Sequence, residues 1–158
     1  MFVYLLVVVL VAAAIHITRM EDRTRERVGR IGLLYVLVGY CGVPMVVVSV
    51  WTLVSPDRVA EWLGFPAANP FQTFLGFAYL AMSIIAVLAL RYRGTFLIGP
   101  AVGWTVFFAG ATCVHLNDLA ATGALTHHGM LGIFVTHGLI SLLLAVALLA
   151  SGLLTQQA

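Results

Sequence analysis

The stretch from Ser55 to Gln72, SPDRVAEWLGFPAANPFQ, decides the fold, because the segments on either side of it are long and apolar enough to cross a bilayer. Its first half predicts a short helix over about 56–63. Ser55 is a favourable N-cap, Pro56 suits the first helical turn, and Gly64 permits a left-handed stop. A short amphipathic helix between two apolar segments is expected to lie in the membrane interface, on the outer side.

The predicted interfacial helix has one apolar face and one charged face. Val59, Trp62 and Leu63 share the apolar face at helical spacing. We expect that face to lie on the acyl boundary, with the Trp62 indole at the depth of the lipid headgroups. Asp57, Arg58 and Glu61 are expected to remain in water.

The composition places the chain in a membrane. Its 158 residues are 62% hydrophobic and only 9% charged, with a mean hydropathy of +1.07. Soluble domains carry about 25% charged residues, so an ordinary soluble domain is excluded. The net charge of +2 rests on eight arginines and no lysine, and nucleic acid is not an expected partner. Cys41 and Cys113 fall in separate apolar segments, at depths that differ by roughly 10 Å or more, so they are expected to pack rather than to pair.

The hydropathy pattern predicts an all-α integral membrane protein with five transmembrane helices. The last four form a bundle, and the N-terminal helix packs at its periphery or against a partner. A loop, NDLAATGALTHHG, is expected from 117 to 129. The expected spans are about 2–18, 31–54, 71–90, 96–116 and 130–154.

The arginines set the expected orientation. Seven of them fall on one side of the predicted spans, and only Arg58 falls on the other. Positive residues favour the cytoplasmic side, so we expect an uncleaved first helix with its N-terminus outside and a C-terminus in the cytoplasm. The first loop also contains acidic residues, and a solvated, ion-paired helix competes there with binding of anionic lipid headgroups. The expected headgroup contacts are Arg19, Arg23, Arg25, Arg27, Arg30 and Trp62.

Glycines mark the expected helix contacts. Gly76, Gly99, Gly103 and Gly110 lie in the third and fourth spans and predict close backbone approach, which drives helix association in lipid. The segment GYCGVP at 39–44 predicts a loosened backbone or kink in the second span, because proline removes a helical hydrogen bond. A helix bent to fit its neighbours competes there with a hinge or a small cavity at the freed carbonyls.

The polar residues near the predicted spans gather on the outer side. They are His115, Asn117, Asp118, His127, His128 and His137. Three ligands are considered for them: a transition metal, a haem, or a quinone or other apolar molecule held by one histidine. The alternative is that the histidines satisfy one another and the loop carbonyls. Because no metal-ligand spacing, phosphate loop or nucleophile motif is present, no catalytic residue and no metal site are predicted. A non-catalytic role is favoured on this ground, and an enzyme stays the alternative.

Two runs of sequence carry a resemblance to a known family. DRVAEWLGFPAANPFQTFLGFAYL at 57–80 and FFAGATCVHL at 107–116 resemble an uncharacterised family of small bacterial integral membrane proteins, a domain of unknown function. The likeness covers about 31–149, and a more distant one is to the DoxX-type four-helix membrane proteins, some of which are small partners of redox enzymes. The resemblance implies a bacterial plasma membrane protein and leaves the activity open. The matching positions are Gly64, Phe65, Pro66, Pro70, Phe71, Gln72, Gly76, Phe77, Ala78 and His115.

Two roles follow from these expectations. The first is a non-catalytic accessory or structural subunit of a larger membrane assembly, with lipids and other integral membrane subunits as partners, because its loops are short and small residues line its helices. The second is an outward-facing binder or enzyme for a lipophilic molecule. No cofactor is expected, and quinone, haem and metal stay open at the outer histidines.

Overall fold

The computed structural model describes residues 2–63, 70–123 and 134–157, and the regular structure in these ranges is helical. Shorter segments of other helix types interrupt or extend the α-helices: a first π turn (Leu37–Gly42), a second π turn (Phe134–Leu139), and 3₁₀ turns at Gly94–Leu97 and Leu153–Gln157. The α-helices are α1 (Phe2–Thr18), α2 (Arg25–Val36), α3 (Val43–Val54), α4 (Pro56–Leu63), α5 (Pro70–Leu88), α6 (Ile98–Thr122) and α7 (Ile140–Ala150).

Three helices of the described chain are long and apolar enough to cross a membrane. They are the continuous helix Arg25–Val54, α5, and the helix Gly94–Ala121. Phe2–Thr18 and Thr136–Ala150 are apolar but shorter. Helices therefore occupy all five predicted segments, and five membrane crossings stay a prediction.

The second predicted span begins earlier in the structure than the sequence pattern indicated. The helix starts at Arg25 rather than at 31, because the Thr24 hydroxyl accepts a hydrogen bond from the backbone N–H of Arg27 at 3.4 Å. Glu26 lies in the first turn, where a carboxylate complements the helix dipole. The second half of the arginine-rich segment at 19–30 is thus helical and continuous with the apolar part of the helix.

The first π turn lies where the backbone was predicted to loosen. Pro44 follows it directly and has no N–H to donate to the carbonyl of Tyr40, four residues earlier. A π turn widens the helix at this point and lets the chain continue without a break. The helix therefore stays continuous through the GYCGVP segment.

The fourth helix extends past its predicted end, so the expected loop from 117 is incorrect at its start. Asn117 and Asp118 lie inside α6, which ends only at Thr122. Gly123 closes the helix in the left-handed conformation, with φ 64°, and its N–H bonds to the carbonyl of Leu119 at 2.9 Å. The cap, rather than the polar residues, terminates this helix.

The predicted interfacial helix α4 packs into the bundle. Val59 is 1% exposed and Ala60 is fully buried. The expectation that Val59 lies on the acyl boundary is therefore wrong, because this side chain contacts protein. Ser55 lies immediately before this helix, and its carbonyl accepts from the N–H of Val59 at 3.1 Å. Gly64 and the Trp62 side chain lie outside the described part of the structure.

The arginine-bearing turns gather at one end of the bundle, here called the arginine end. Arg30 Nε donates to the carbonyl of Ser151 at 3.0 Å, which places the start of α2 beside the end of α7. Ion pairs of 3.4 Å and 3.8 Å join Arg27 to Asp22 and Arg30 to Glu26. The solvated, ion-paired arrangement predicted for this segment is present, and Arg30 also faces the protein.

Close helix contacts occur at different glycines from most of those predicted. A Cβ on Gly76 would lie 2.9 Å from Leu53 Cδ2, so α5 approaches α3 closely there. A Cβ on Gly99 or Gly110 would meet no atom within 4 Å, and one on Gly103 would meet only Met82 Cε at 3.7 Å. These three do not mark tight contacts within the described chain.

Two glycines of the helix Arg25–Val54 also lie at close contacts, and the contact at Gly29 is the tightest. A Cβ on Gly29 would lie 2.6 Å from backbone atoms of Ala150 and Ser151, and one on Gly39 would lie 2.9 Å from Val9 Cγ2. Gly29 therefore lets the backbones of α2 and α7 cross in direct contact. Gly39 lets the Val9 side chain of α1 pack closely on the first π turn.

Candidate functional site

A cavity of about 110 Å³ opens inside the bundle, away from the arginine end. Residues from α1, α3, α4, α5, α6 and both π turns line it, and most of the lining is aliphatic or aromatic. Such a concave, mainly apolar space with a few polar groups is the usual form of a small-molecule site. Its polar side chains are Tyr40, Thr52, Gln72, Tyr79, Thr136 and His137.

Both π turns contribute a polar ring to this cavity. Tyr40 lies on the first π turn and His137 on the second. A π turn rotates the following residues relative to the helix face that a regular α-helix would present, and such turns are frequent at functional sites. The two departures from regular helix therefore converge on one place.

Gln72 brings a buried acceptor without a partner to the cavity. It lies in the first turn of α5 and is 4% exposed, and its Oε1 is buried with no hydrogen bond from the described residues. Leaving a buried acceptor unsatisfied costs about 1–3 kcal/mol. By contrast, the nearby Thr52 hydroxyl donates to the carbonyl of Val48 at 2.8 Å. The Gln72 oxygen is thus available to a ligand, and the Thr52 hydroxyl is already satisfied.

An aromatic wall holds one side of the cavity rigid. The Trp104 ring is fully buried and stacks on Phe108, with centroids 5.2 Å apart. Phe107 meets the Trp104 ring edge to face at 5.6 Å and the Tyr79 ring at 5.1 Å. Edge-to-face and stacked pairs are favourable arrangements of aromatic rings. The cavity surface made by Tyr79, Phe107 and Phe108 is therefore preformed.

Two of the predicted site histidines lie together at the edge of this cavity. The rings of His115 and His137 meet edge to face, with centroids 5.2 Å apart. His137 lines the cavity, contacts Phe108 with centroids at 5.8 Å, and lies 2.8 Å from the Thr136 hydroxyl through Nδ1. His115 is half-buried and does not line the cavity.

The other predicted site residues are placed differently. Asn117 is exposed on α6 and Asp118 is half-buried on the same helix, and neither lines the cavity. His127 and His128 lie outside the described residues. Only His137, of the six polar residues that the sequence singled out, therefore reaches the cavity within the described chain.

Across 2–63, 70–123 and 134–157, no three His, Cys, Asp or Glu side chains gather closely enough to hold a metal ion. Direct contact between the His115 and His137 rings leaves no gap for a haem macrocycle between them. The contact between the two rings agrees with the alternative in which the histidines satisfy one another, and an apolar ligand held by one histidine stays a prediction.

Most of the cavity residues are missing from the set that the sequence predicted. Tyr40 and Tyr79 are not among the predicted site residues, and Gln72 enters only as part of a family motif. The available signal was an uncharged polar side chain inside an apolar span, which tends to face the protein interior. A search confined to ionisable groups passes over Gln72.

The fold and the cavity together define an all-helical protein with three helices able to cross a membrane and an internal apolar site, within the described ranges. The chain belongs to DUF6790, a family of unknown function, whose profile matches residues 1–156. This agrees with the resemblance to an uncharacterised family. No curated protein and no solved structure matches the chain.

Proposed function

We propose that this chain is a membrane protein that binds a small lipophilic molecule in the cavity lined by Tyr40, Gln72 and His137. The observation that carries the proposal is the buried Oε1 of Gln72, which accepts no hydrogen bond from the described residues and borders a mainly apolar space. A hydrogen-bond donor on a ligand satisfies that oxygen, and the aromatic wall excludes water around the bond.

The cavity volume limits the size of the bound group. It holds about 110 Å³, and an engineered protein cavity of about 150 Å³ binds benzene. The cavity is smaller than that one, so it holds at most one ring, and ring substituents and any longer tail extend out of it. The ring packs against Tyr79 and Phe107, whose edges and faces suit aromatic contacts.

The chemistry of Gln72 selects among ring ligands. A phenol or the reduced head group of a quinone carries an O–H that donates to Oε1, whereas a quinone carries only acceptors. The favoured ligand class is thus a lipophilic phenol or quinol. His137 supplies a second polar contact at the cavity edge.

Matched probes test this assignment. We expect p-cresol to bind the purified protein about tenfold more tightly than toluene, which lacks the hydroxyl, in calorimetric titration in detergent. In Gln72→Leu the preference for p-cresol disappears while toluene still binds, and retained toluene binding shows that the variant is folded. Asn117→Ala, on the exposed surface of α6, is the control and keeps the preference. Equal affinities for the two probes in the unaltered protein refute the proposal.

A second candidate is an accessory subunit of a larger membrane assembly, supported by the outer face of α6. A Cβ added at Gly99 or Gly110 would meet no atom within 4 Å, and Val102 and Val106 beside them are 46% and 66% exposed. Small residues on a lipid-exposed face permit close packing of another helix. Mild-detergent extraction followed by native mass measurement decides this candidate: a defined hetero-complex supports it, and a lone monomer excludes it.

The proposed location is a bacterial plasma membrane, with five spans, the N-terminus outside and the C-terminus in the cytoplasm. The gathering of arginines at one end of the bundle supports this orientation. An impermeant thiol reagent applied from outside tests it on single cysteines placed in the loop at 20–24. Labelling at these positions contradicts the proposed orientation and places this loop outside.

A further inference from the structure

A groove at the arginine end lies between α1 and α2, remote from the cavity. It has a volume of about 420 Å³ and is lined by Ala12, Ile15, His16, Arg19 and Tyr35. Ala12 and Ile15 form its apolar part, and its polar part presents an imidazole, a phenol and a guanidinium. The distance along the helix from Ala12 to Arg19 is about 10 Å at a rise of 1.5 Å per residue.

The arginines around this groove are differently engaged. Arg23 donates to the carbonyls of Met20 and Thr18, and Arg27 pairs with Asp22. Arg19 takes part in none of the ion pairs of the described chain, and its residue is exposed. Its planar guanidinium offers a fork of donors that matches a phosphate group.

The His16 and Tyr35 pair supplies a further donor in either of its arrangements. His16 Nδ1 lies 3.0 Å from the Tyr35 hydroxyl. If the phenol donates to Nδ1, the Nε2–H of the imidazole is left to donate elsewhere. If Nδ1–H donates to the phenol, the phenolic O–H is left. One donor beside Arg19 therefore remains for an anion whichever tautomer is present.

We propose that this groove binds one anionic glycerophospholipid, with its phosphate on Arg19, His16 and Tyr35 and an acyl chain along Ile15 and Ala12. The charge of Arg19 is complementary to the phosphate, and the apolar floor is complementary to the chain. Ile15 is 47% exposed, so the acyl chain covers apolar surface that α1 leaves open in the described structure. The proposal rests on the proposed membrane location and is independent of the cavity ligand.

Native mass spectrometry with dioleoyl phosphatidylglycerol as the probe tests the groove. The unaltered protein is expected to retain one such lipid through delipidation and to release dioleoyl phosphatidylcholine earlier. Arg19→Gln is expected to weaken retention about tenfold, because it removes a charge-assisted hydrogen bond to the phosphate. Tyr35→Phe is expected to weaken retention about threefold, because it removes a neutral hydrogen bond. Arg25→Gln removes the same charge from the same segment without lining the groove, and it is expected to change retention little. Unchanged thermal unfolding checks that each variant is folded.

Three results overturn the proposal. Equal weakening in Arg25→Gln and Arg19→Gln means that the arginines attract lipid only as a diffuse charge. Equal retention of the two lipids by the unaltered protein shows that the groove does not recognise anionic charge. Displacement of the lipid by millimolar inorganic phosphate means that the groove is a simple anion site.

Discussion

Substitution of Gly29 by alanine tests the closest helix crossing in the described part of the molecule. The added Cβ would lie 2.6 Å from both the carbonyl carbon of Ala150 and the backbone nitrogen of Ser151. Neither atom can move as a side chain does, so α2 and α7 must separate by about 0.8 Å to restore an ordinary contact of about 3.4 Å. Arg30 must stretch its 3.0 Å bond to the Ser151 carbonyl as the helices part.

The expected cost follows from this overpacking. Inserting a methyl group into a closely packed contact destabilises a protein by about 1–3 kcal/mol, which for a chain of this size lowers Tm by roughly 2–12 °C. Gly32→Ala is the matched control in the same helix, because a Cβ there meets nothing within 4 Å. Alanine is the better helix former, so the control raises Tm by about 1–4 °C.

The assay is thermal unfolding of the two variants in one detergent, followed by far-ultraviolet circular dichroism. Opposite signs for Gly29→Ala and Gly32→Ala support the backbone contact. If Gly29→Ala unfolds at the same temperature as Gly32→Ala, or at a higher one, the helices do not cross at Gly29 and the inferred packing is wrong.

Two further predictions concern packing and exposure. Gly76→Ala is expected to destabilise the protein by about 1 kcal/mol, less than Gly29→Ala, because its closest neighbour is the flexible end of Leu53. Gly110→Ala is expected to cost nothing, since its surroundings are open. Equal unfolding temperatures for the Gly76→Ala and Gly110→Ala variants contradict this. In detergent, a small maleimide is expected to modify the exposed Cys113 under native conditions and the fully buried Cys41 only after unfolding. Mass analysis of the labelled peptides measures both. Modification of Cys41 under native conditions contradicts its placement in the core.

Local patterns in the sequence determined where most helices lie. The helix predicted over 56–63 coincides with α4, and that over 2–18 with α1, because caps and changes from apolar to polar residues act on neighbouring positions. The end of α6 is the exception, and a local feature of the chain explains it as well. Gly123, rather than Asn117, ends that helix, since polar residues are tolerated in a helix whereas a left-handed glycine cap stops it.

Only the tertiary structure decided which side of each helix faces another. Gly29 and Gly99 are equally small in the sequence, yet one lies at a backbone crossing and the other beside open space. Val59 has the spacing of a lipid-facing residue and is buried instead, because an apolar stripe suits protein and acyl chains equally well.

The cavity was likewise beyond the sequence alone. Tyr40, Gln72 and His137 lie far apart in the chain, and they line one space because the first π turn, α5 and the second π turn all border it. Periodicity reports the environment of one helix at a time, whereas a site of this kind depends on the relative rotation of several helices. The sequence by itself determined an apolar helical protein with seven of its eight arginines in the segments 19–30 and 91–93, and packing between the helices determined where the cavity lies.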